Sequence, residues 1–245
     1  TPYSESVVAA YTDKEFQEII NGSSLSIPDG GGLLAAADYL QYQLPNNKYL
    51  RFLFAVFLGL WVGIKLALFR KSFKVLKEPV HGTDLLVSIC SLSTRRSIKV
   101  YLLGGLNREV AVRSKQILKG MFPKLEVKAS RGPGDLQKAT VDEINGIISE
   151  INDFKPDFLF VAFKPVVQEK WLSANMGKID AKVFMAVGGA FDMISGHKKR
   201  ATRFMRSIGL EWLWRLIIEP SRVGRIYKAV IIFPLMVFRE KLNIG

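Results

Sequence analysis

The stretch IKVYLLGG, residues 98–105, carries apolar residues on both parities of its alternation and stops at two glycines. A strand that does without a polar face is covered on both sides, which is the situation of a parallel strand sandwiched between helices. The pattern recurs downstream. A helix-period stretch from about Asn107 to Gly120 leads to LEVKA (125–129) as another strand, and Thr140 with Glu143 spells a capping box for a helix to about Asn152. DFLFVAF (157–163) is a second buried strand, a helix follows through QEKWL (168–172), and KVFMAVGG (182–189) is a third, before a long amphipathic helix from Thr202 to Ile218. Strands alternating with helices predict an α/β fold with a parallel sheet flanked by helices.

Upstream, Thr12 with Glu15 predicts a capped helix over 12–21, and Leu25 to Ile27 a short strand leading into IPDGGG. Asp29 in that loop has two readings. Pro-Asp-Gly is favoured by turn chemistry alone, whereas a carboxylate at the lip of a sheet is a candidate catalytic group. In parallel sheets ligands sit beyond the carboxyl ends of the strands, where glycine turns and helix N-termini offer backbone N–H groups to phosphates. Gly104 and Gly105, Gly188 and Gly189, and the glycines after Asp29 all fall at expected strand ends, which points to a phosphate-bearing ligand.

The 245 residues include 35 Lys and Arg against 22 Asp and Glu, a net charge of +13, so an anionic partner is expected. The charge is interleaved with aliphatic runs and no nucleic-acid module is visible, which argues against nucleic acid. One cysteine, Cys90, rules out an internal disulfide, and two histidines, His81 and His197, without cysteine partners argue against zinc. A reducing, cytosol-facing setting is expected. TPYSESVVAAYTDKEF contains no basic segment followed by an apolar one, so it does not read as a secretory signal, and a start at Thr1 reads as a fragment or a processed form.

FLFAVFLGLWVGIKLALF (52–69) is interrupted only by Lys65 and flanked by Lys48 and Arg51 before it and Arg70, Lys71, Lys74 and Lys77 after it. About 18 residues at ~1.5 Å each just reach across a bilayer. A single crossing, however, would put Asp29 and the 98–105 strand on opposite sides. The segment therefore lies in the interface, dips in and returns, or is a buried core helix. IYKAVIIFPLMVFREKL (226–242) has the same mixture of apolar and basic residues, and its Pro234 is expected to kink or end a helix. Together the two segments suggest a surface facing anionic lipid.

Seven segments in fixed order carry a resemblance: TP at the start, IPDGGG, HGTDLL (81–86), KVYLLGG (99–105), QEKWL, VGGAFDMISGHKKRA (187–201) and GLEWLWRLIIEPSR (209–222). Together they resemble the WecG/TagA/CpsF family of bacterial glycosyltransferases, glycosyltransferase family 26, over nearly the whole chain except an insert at about 46–77. The resemblance implies a Rossmann-like domain over 1–200 and a C-terminal helical appendage over 201–245 that reaches the membrane. It implies transfer of an N-acetylmannosamine-type or related sugar from a UDP-sugar to a polyprenyl-diphosphate-linked sugar at the cytoplasmic face of the plasma membrane, with no cofactor and no metal. Asp29 is then the general base. Thr1, Gln168, Gly104, Gly105, Gly188, Gly189 and Asp192 are implied substrate contacts, and Arg215, Arg222 and Arg225 meet the charge on departing UDP. Trp171, Trp212 and Trp214 are expected in the core or facing the membrane. Tyr3 replaces an asparagine of the pattern, Lys164 a glycine and Pro79 an arginine, which bears on donor identity; Lys164 offers a compensating charge. The alternative is a membrane-surface scaffold that binds lipid-linked sugar or a partner enzyme, and a homo-oligomer is left open.

Overall fold

The computed structural model describes residues 1–69, 72–199, 201, 202, 205 and 210–243. In chain order its elements are α1 (Ser4–Thr12), α2 (Lys14–Asn21), α3 (Gly31–Gln41), α4 (Lys48–Leu68), α5 (Gly82–Ser91), β1 (Lys99–Gly104), α6 (Arg108–Met121), β2 (Glu126–Ser130), α7 (Val141–Phe154), β3 (Phe158–Ala162), α8 (Val167–Asn175), β4 (Val183–Ala186), α9 (Ala190–Ile194), α10 (Glu211–Ile218), α11 (Val223–Tyr227) and α12 (Phe233–Asn243). The chain forms two compact units. One comprises Thr1, Glu18–Ser23 and His81–Arg200; the other Pro2–Gln17, Ser24–Val80 and Ala201–Gly245.

The first unit is a Rossmann-like α/β body. Its four strands are all parallel, in the order β2-β1-β3-β4, with Leu102 opposite Ala129 on one side and Phe160 on the other. The two parities of β1 and β3 feed two cores. Val100, Leu102, Phe160 and Ala162 pack with Leu86 and Cys90 of α5 and Val110 and Leu118 of α6. Tyr101, Leu103, Leu159 and Val161 pack with Ile147 and Ile151 of α7 and Trp171 of α8. Helices on both faces explain why these strands tolerate apolar residues at every position. Asn107 caps α6 by accepting the Val110 N–H, and the Thr140 and Glu143 capping box of α7 is present as expected.

The second unit is helical, with a core of Leu34, Tyr39, Val62 and Phe73 against which Val237 and Phe238 pack. Two local expectations are corrected. Leu25 to Ile27 forms no strand. Leu25 is exposed, and the loop bonds elsewhere, the Asp29 N–H to the Pro2 carbonyl and the Val80 N–H to the Pro28 carbonyl. The cap near residue 12 is not Thr12 but Asp13, whose Oδ1 accepts the Phe16 N–H, and a separate α1 precedes it. Pro234 does not end its helix. A π-helical turn at Lys228–Ile232 immediately precedes α12, and Pro234 is the second residue of α12, a first-turn position that proline tolerates. Of the expected 202–218 helix, Glu211–Ile218 is helical, while residues 203, 204 and 206–209 lie outside the described residues. So do Arg70, Lys71 and Arg200.

Candidate active site

In the sheet unit the expected binding residues converge at the carboxyl ends of the strands. Gly104, at the end of β1, has φ +107°, and a Cβ there would stand 2.5 Å from the Ala162 carbonyl oxygen. Only glycine lets β1 turn away while staying this close to β3. The Gly105 N–H donates to that same carbonyl at 2.8 Å.

Gln168, in the first turn of α8, is buried, and its Oε1 accepts both the Phe163 N–H and the Gly188 N–H at 3.1 Å. Both lone pairs of that oxygen are therefore used to hold the turn after β3 to the turn after β4. Its Nε2 donates to Glu169 at 2.8 Å. The turn itself carries strain, because Val166 sits at φ +72°, a region that β-branched residues avoid. Lys164 is exposed in the same turn.

Beyond β4, Gly188 (φ +51°) and Gly189 open α9, where Asp192 is buried with Oδ2 3.2 Å from the Lys198 ammonium. Among the described residues Asp192 Oδ1 has no hydrogen-bond partner, so this carboxylate retains acceptor capacity. Thr1 lies at the same end of the sheet: its hydroxyl and Val187 flank Gly82, at 3.4 Å and 3.9 Å from where a Cβ would be. The structure thus brings together Thr1, Gly104, Gly105, Gln168, Gly188, Gly189 and Asp192. Trp171 is buried beneath them in the core.

In the helical unit, Asp29 stands between Pro28 and Gly30, and Gly30 at φ +89° immediately precedes α3. Its backbone is pinned to residue 2, and the next residue holds Arg225: Arg225 Nη2 donates to the Tyr3 hydroxyl at 2.7 Å, and its Nε lies 2.9 Å from Glu5 Oε2. Asp29 and Arg225 are therefore both anchored on the segment 2–5. Burial drives the Tyr3 phenol far above its usual range, even against the pull of Arg225, so it stays protonated. Burial opposes the charge on Arg225, but Tyr3 and Glu5 outweigh it and leave this guanidinium more firmly protonated than usual. Arg222 pairs with Glu219 three residues earlier, and Arg215 lies half-buried on α10. Trp212 on α10 is exposed. Sequence reasoning missed Glu5 and Lys198, which no local pattern marks. Among the described residues no three His, Cys, Asp or Glu side chains converge as a metal centre requires.

A parallel sheet flanked by helices, with glycine turns and a glutamine clamp at its carboxyl ends, defines a Rossmann-like α/β fold. The family model of the glycosyl transferase WecG/TagA/CpsF family matches residues 46–244, and the chain belongs to that family. It is a glycosyltransferase. Among curated relatives, the N-acetylglucosaminyldiphosphoundecaprenol N-acetyl-beta-D-mannosaminyltransferase of Staphylococcus aureus strain MRSA252 is 27% identical over 240 residues, covering 98% of this chain and 79% of the relative. The protein of the same name from strain MW2 is 26% identical over the same length and coverage.

Proposed function

We propose that the chain moves an N-acetylmannosamine-type sugar from a UDP donor to an undecaprenyl-diphosphate-linked sugar, with inversion and without a metal, in the assembly of a cell-surface polysaccharide. What supports the reading is the match over 98% of the chain to transferases named for moving an N-acetyl-beta-D-mannosaminyl group to N-acetylglucosaminyldiphosphoundecaprenol.

Asp29 is the general base. Its carboxylate takes the proton of the acceptor hydroxyl as that oxygen attacks the anomeric carbon, while the bond from that carbon to the UDP oxygen breaks. The leaving diphosphate carries the charge away, and guanidinium groups meet it: Arg225, pre-oriented by Glu5 and Tyr3, together with Arg215 and Arg222. The glycine turns at Gly104 and Gly105 and at Gly188 and Gly189, the latter held by Gln168, let the donor diphosphate approach the backbone closely, and Asp192 offers an acceptor to a hydroxyl of the nucleotide sugar. Thr1 contributes a hydroxyl at the same sheet end. The lipid-linked acceptor places the work at a membrane surface, read as the cytoplasmic face, with 201–245 as the associating appendage.

The test is UDP release from a panel of UDP-sugars with a short-chain polyprenyl-diphosphate N-acetylglucosamine acceptor in EDTA, comparing the native chain with Asp29→Asn. Acceptor-dependent release that is lost in the variant is expected. Undiminished release in Asp29→Asn removes Asp29 from the chemistry. No release with any donor, alongside intact binding to acceptor-bearing vesicles, means that the chain acts as a scaffold. Loss of release in EDTA with recovery on adding a divalent cation overturns the metal-free reading.

A further inference from the structure

Within the helical unit, α4 is built inside out. Its buried seam is narrow: Ala55, Val62 and Lys65 are buried, and Arg51, Leu58 and Leu66 are half-buried, spaced by threes and fours. That seam meets Leu34 and Tyr39 of α3, Val237 and Phe238 of α12, and Phe73. From 52 to 69 the sequence has one charged residue, Lys65, and it belongs to the seam, with Nζ 2.7 Å from Asp38 Oδ2. Outside are Phe54, Phe57, Leu60, Trp61, Ile64 and Leu68, with Phe57 68%, Leu60 61% and Leu68 70% exposed. A helix on a water-facing surface has the opposite order, with charge outside and apolar residues within.

We propose that α4 is a membrane-embedded helix that lies along the bilayer with both ends on the same side, immersing its outward arc among the acyl chains of an anionic leaflet.

The width of the arc selects lipid over a protein partner. Successive residues are ~100° apart on a helix, so the exposed positions 52, 53, 54, 56, 57, 60, 61, 64 and 68 span an arc of ~200°, about twice the single stripe that a second helix would bury. Acyl chains cover the whole arc, and turning the one cation inward onto Asp38 spares a charge from hydrocarbon. The helix is long and apolar enough to cross a membrane. Its surroundings argue against crossing. A crossing helix of this length holds its flanks ~30 Å apart on opposite sides. Here the Val80 N–H donates to the Pro28 carbonyl at 3.0 Å, so the chain before α3 and the chain after α4 are hydrogen-bonded neighbours. The Tyr39 hydroxyl donates to the Ala55 carbonyl at 3.0 Å, tying the middle of α4 to α3, and Phe73 and Leu76 fold back onto the same core. Exposed Lys48 at the start of the helix and Lys74 and Lys77 after it supply cations at headgroup level at both ends.

The experiment reads binding rather than turnover, so it stands apart from the sugar chemistry. Full-length protein is diluted from mild detergent onto preformed vesicles of phosphatidylcholine and phosphatidylglycerol and floated on a density gradient. The triple variant Phe57→Glu/Leu60→Glu/Ile64→Glu alters only exposed positions. It is expected to keep the native circular dichroism spectrum and to lose flotation at least ~10-fold, a difference of ~1.4 kcal/mol. Undiminished flotation of the folded variant overturns the proposal. A wild type that dimerises without floating, with a monomeric variant, also overturns it and assigns the arc to a second copy.

Should the variant not fold, a fluorophore on Phe57→Cys decides. Cys90 does not compete for the label, since burial pushes its thiol up to about 12. Quenching by lipid-borne nitroxides is expected, and a label left in water overturns the immersion. For sidedness, Lys48→Cys and Lys74→Cys are both expected to react with an impermeant maleimide added outside. Protection of one alone means that the helix crosses.

Discussion

The side-chain oxygen of Gln168 accepts the backbone N–H of Gly188 at 3.1 Å while also accepting that of Phe163, so one buried amide ties the turns after β3 and β4 together. Gln168→Ala leaves two backbone donors without their acceptor, at about 1–3 kcal/mol each when buried. The expected result is a fall in the Tm of the ligand-free protein by roughly 4 °C or more, with a loss of donor affinity. A residue acting only by touching substrate changes KM and leaves that Tm unmoved, and differential scanning calorimetry separates the two.

Arg225 depends on Glu5 for its orientation, with both carboxylate oxygens within 3.0 Å of its Nε. Arg225→Ala is expected to lower kcat by ~10²-fold or more, the range for losing a charged donor to the transition state. Glu5→Gln keeps the cation and loosens its placement, so a smaller loss, roughly 10-fold, is expected. Equal losses in steady-state kinetics would show that Glu5 does more than position. Because Tyr3 stays protonated across the working range, Tyr3→Phe is expected to leave the shape of the pH–rate profile unchanged.

Lys65 and Asp38 form a buried pair, and Asp38 also accepts from Gln41 at 2.8 Å. Asp38→Ala strands a buried ammonium and is expected to cost about 3–5 kcal/mol, whereas the double variant Asp38→Leu/Lys65→Met recovers most of it. Urea denaturation in detergent measures both.

Asp157 joins the amino ends of three strands, with Oδ2 accepting the Lys99 N–H at 2.8 Å and Oδ1 taking the Lys182 ammonium at 2.6 Å. The Lys182 hydrogen bond, followed by that from the Lys99 backbone, lowers its pKa. A carboxyl lowered on folding contributes stability that is complete above its unfolded value near ~3.9 and is lost as pH falls through the folded value. Thermal melts from pH 6 to 3 are therefore expected to fall less steeply for Asp157→Asn than for the native chain. Parallel curves would remove Asp157 from the acid response.

Much of the sheet was legible because its signals are local. The doubly apolar runs at 98–103 and 158–162 announced buried parallel strands, and Thr140 with Glu143 announced its own cap. Leu25 to Ile27 misled because alternation over three residues says nothing about whether an edge is there to pair with. Thr12 misled because Asp13, one residue on, offers a competing cap. The residues of the strand-end turns were legible as types, a glutamine and glycines, yet not as a clamp, since the role of Gln168 rests on a partner 20 positions away.

Periodicity, capping and turn chemistry act over about a dozen residues, so the amino-acid sequence by itself determined the α/β class, the parallel sheet, the glycine-bearing strand ends and the apolar helix at 48–68. It left open which way that helix turns Lys65, what holds Arg225, and how the Asp29 loop is pinned. Those depend on contacts such as Arg225 with Glu5, 220 residues apart, and Lys65 with Asp38, 27 apart, whose energies exist only once the chain has closed the loops between them. Tertiary structure decided them, because a buried charge or donor takes whichever partner the completed fold brings within reach.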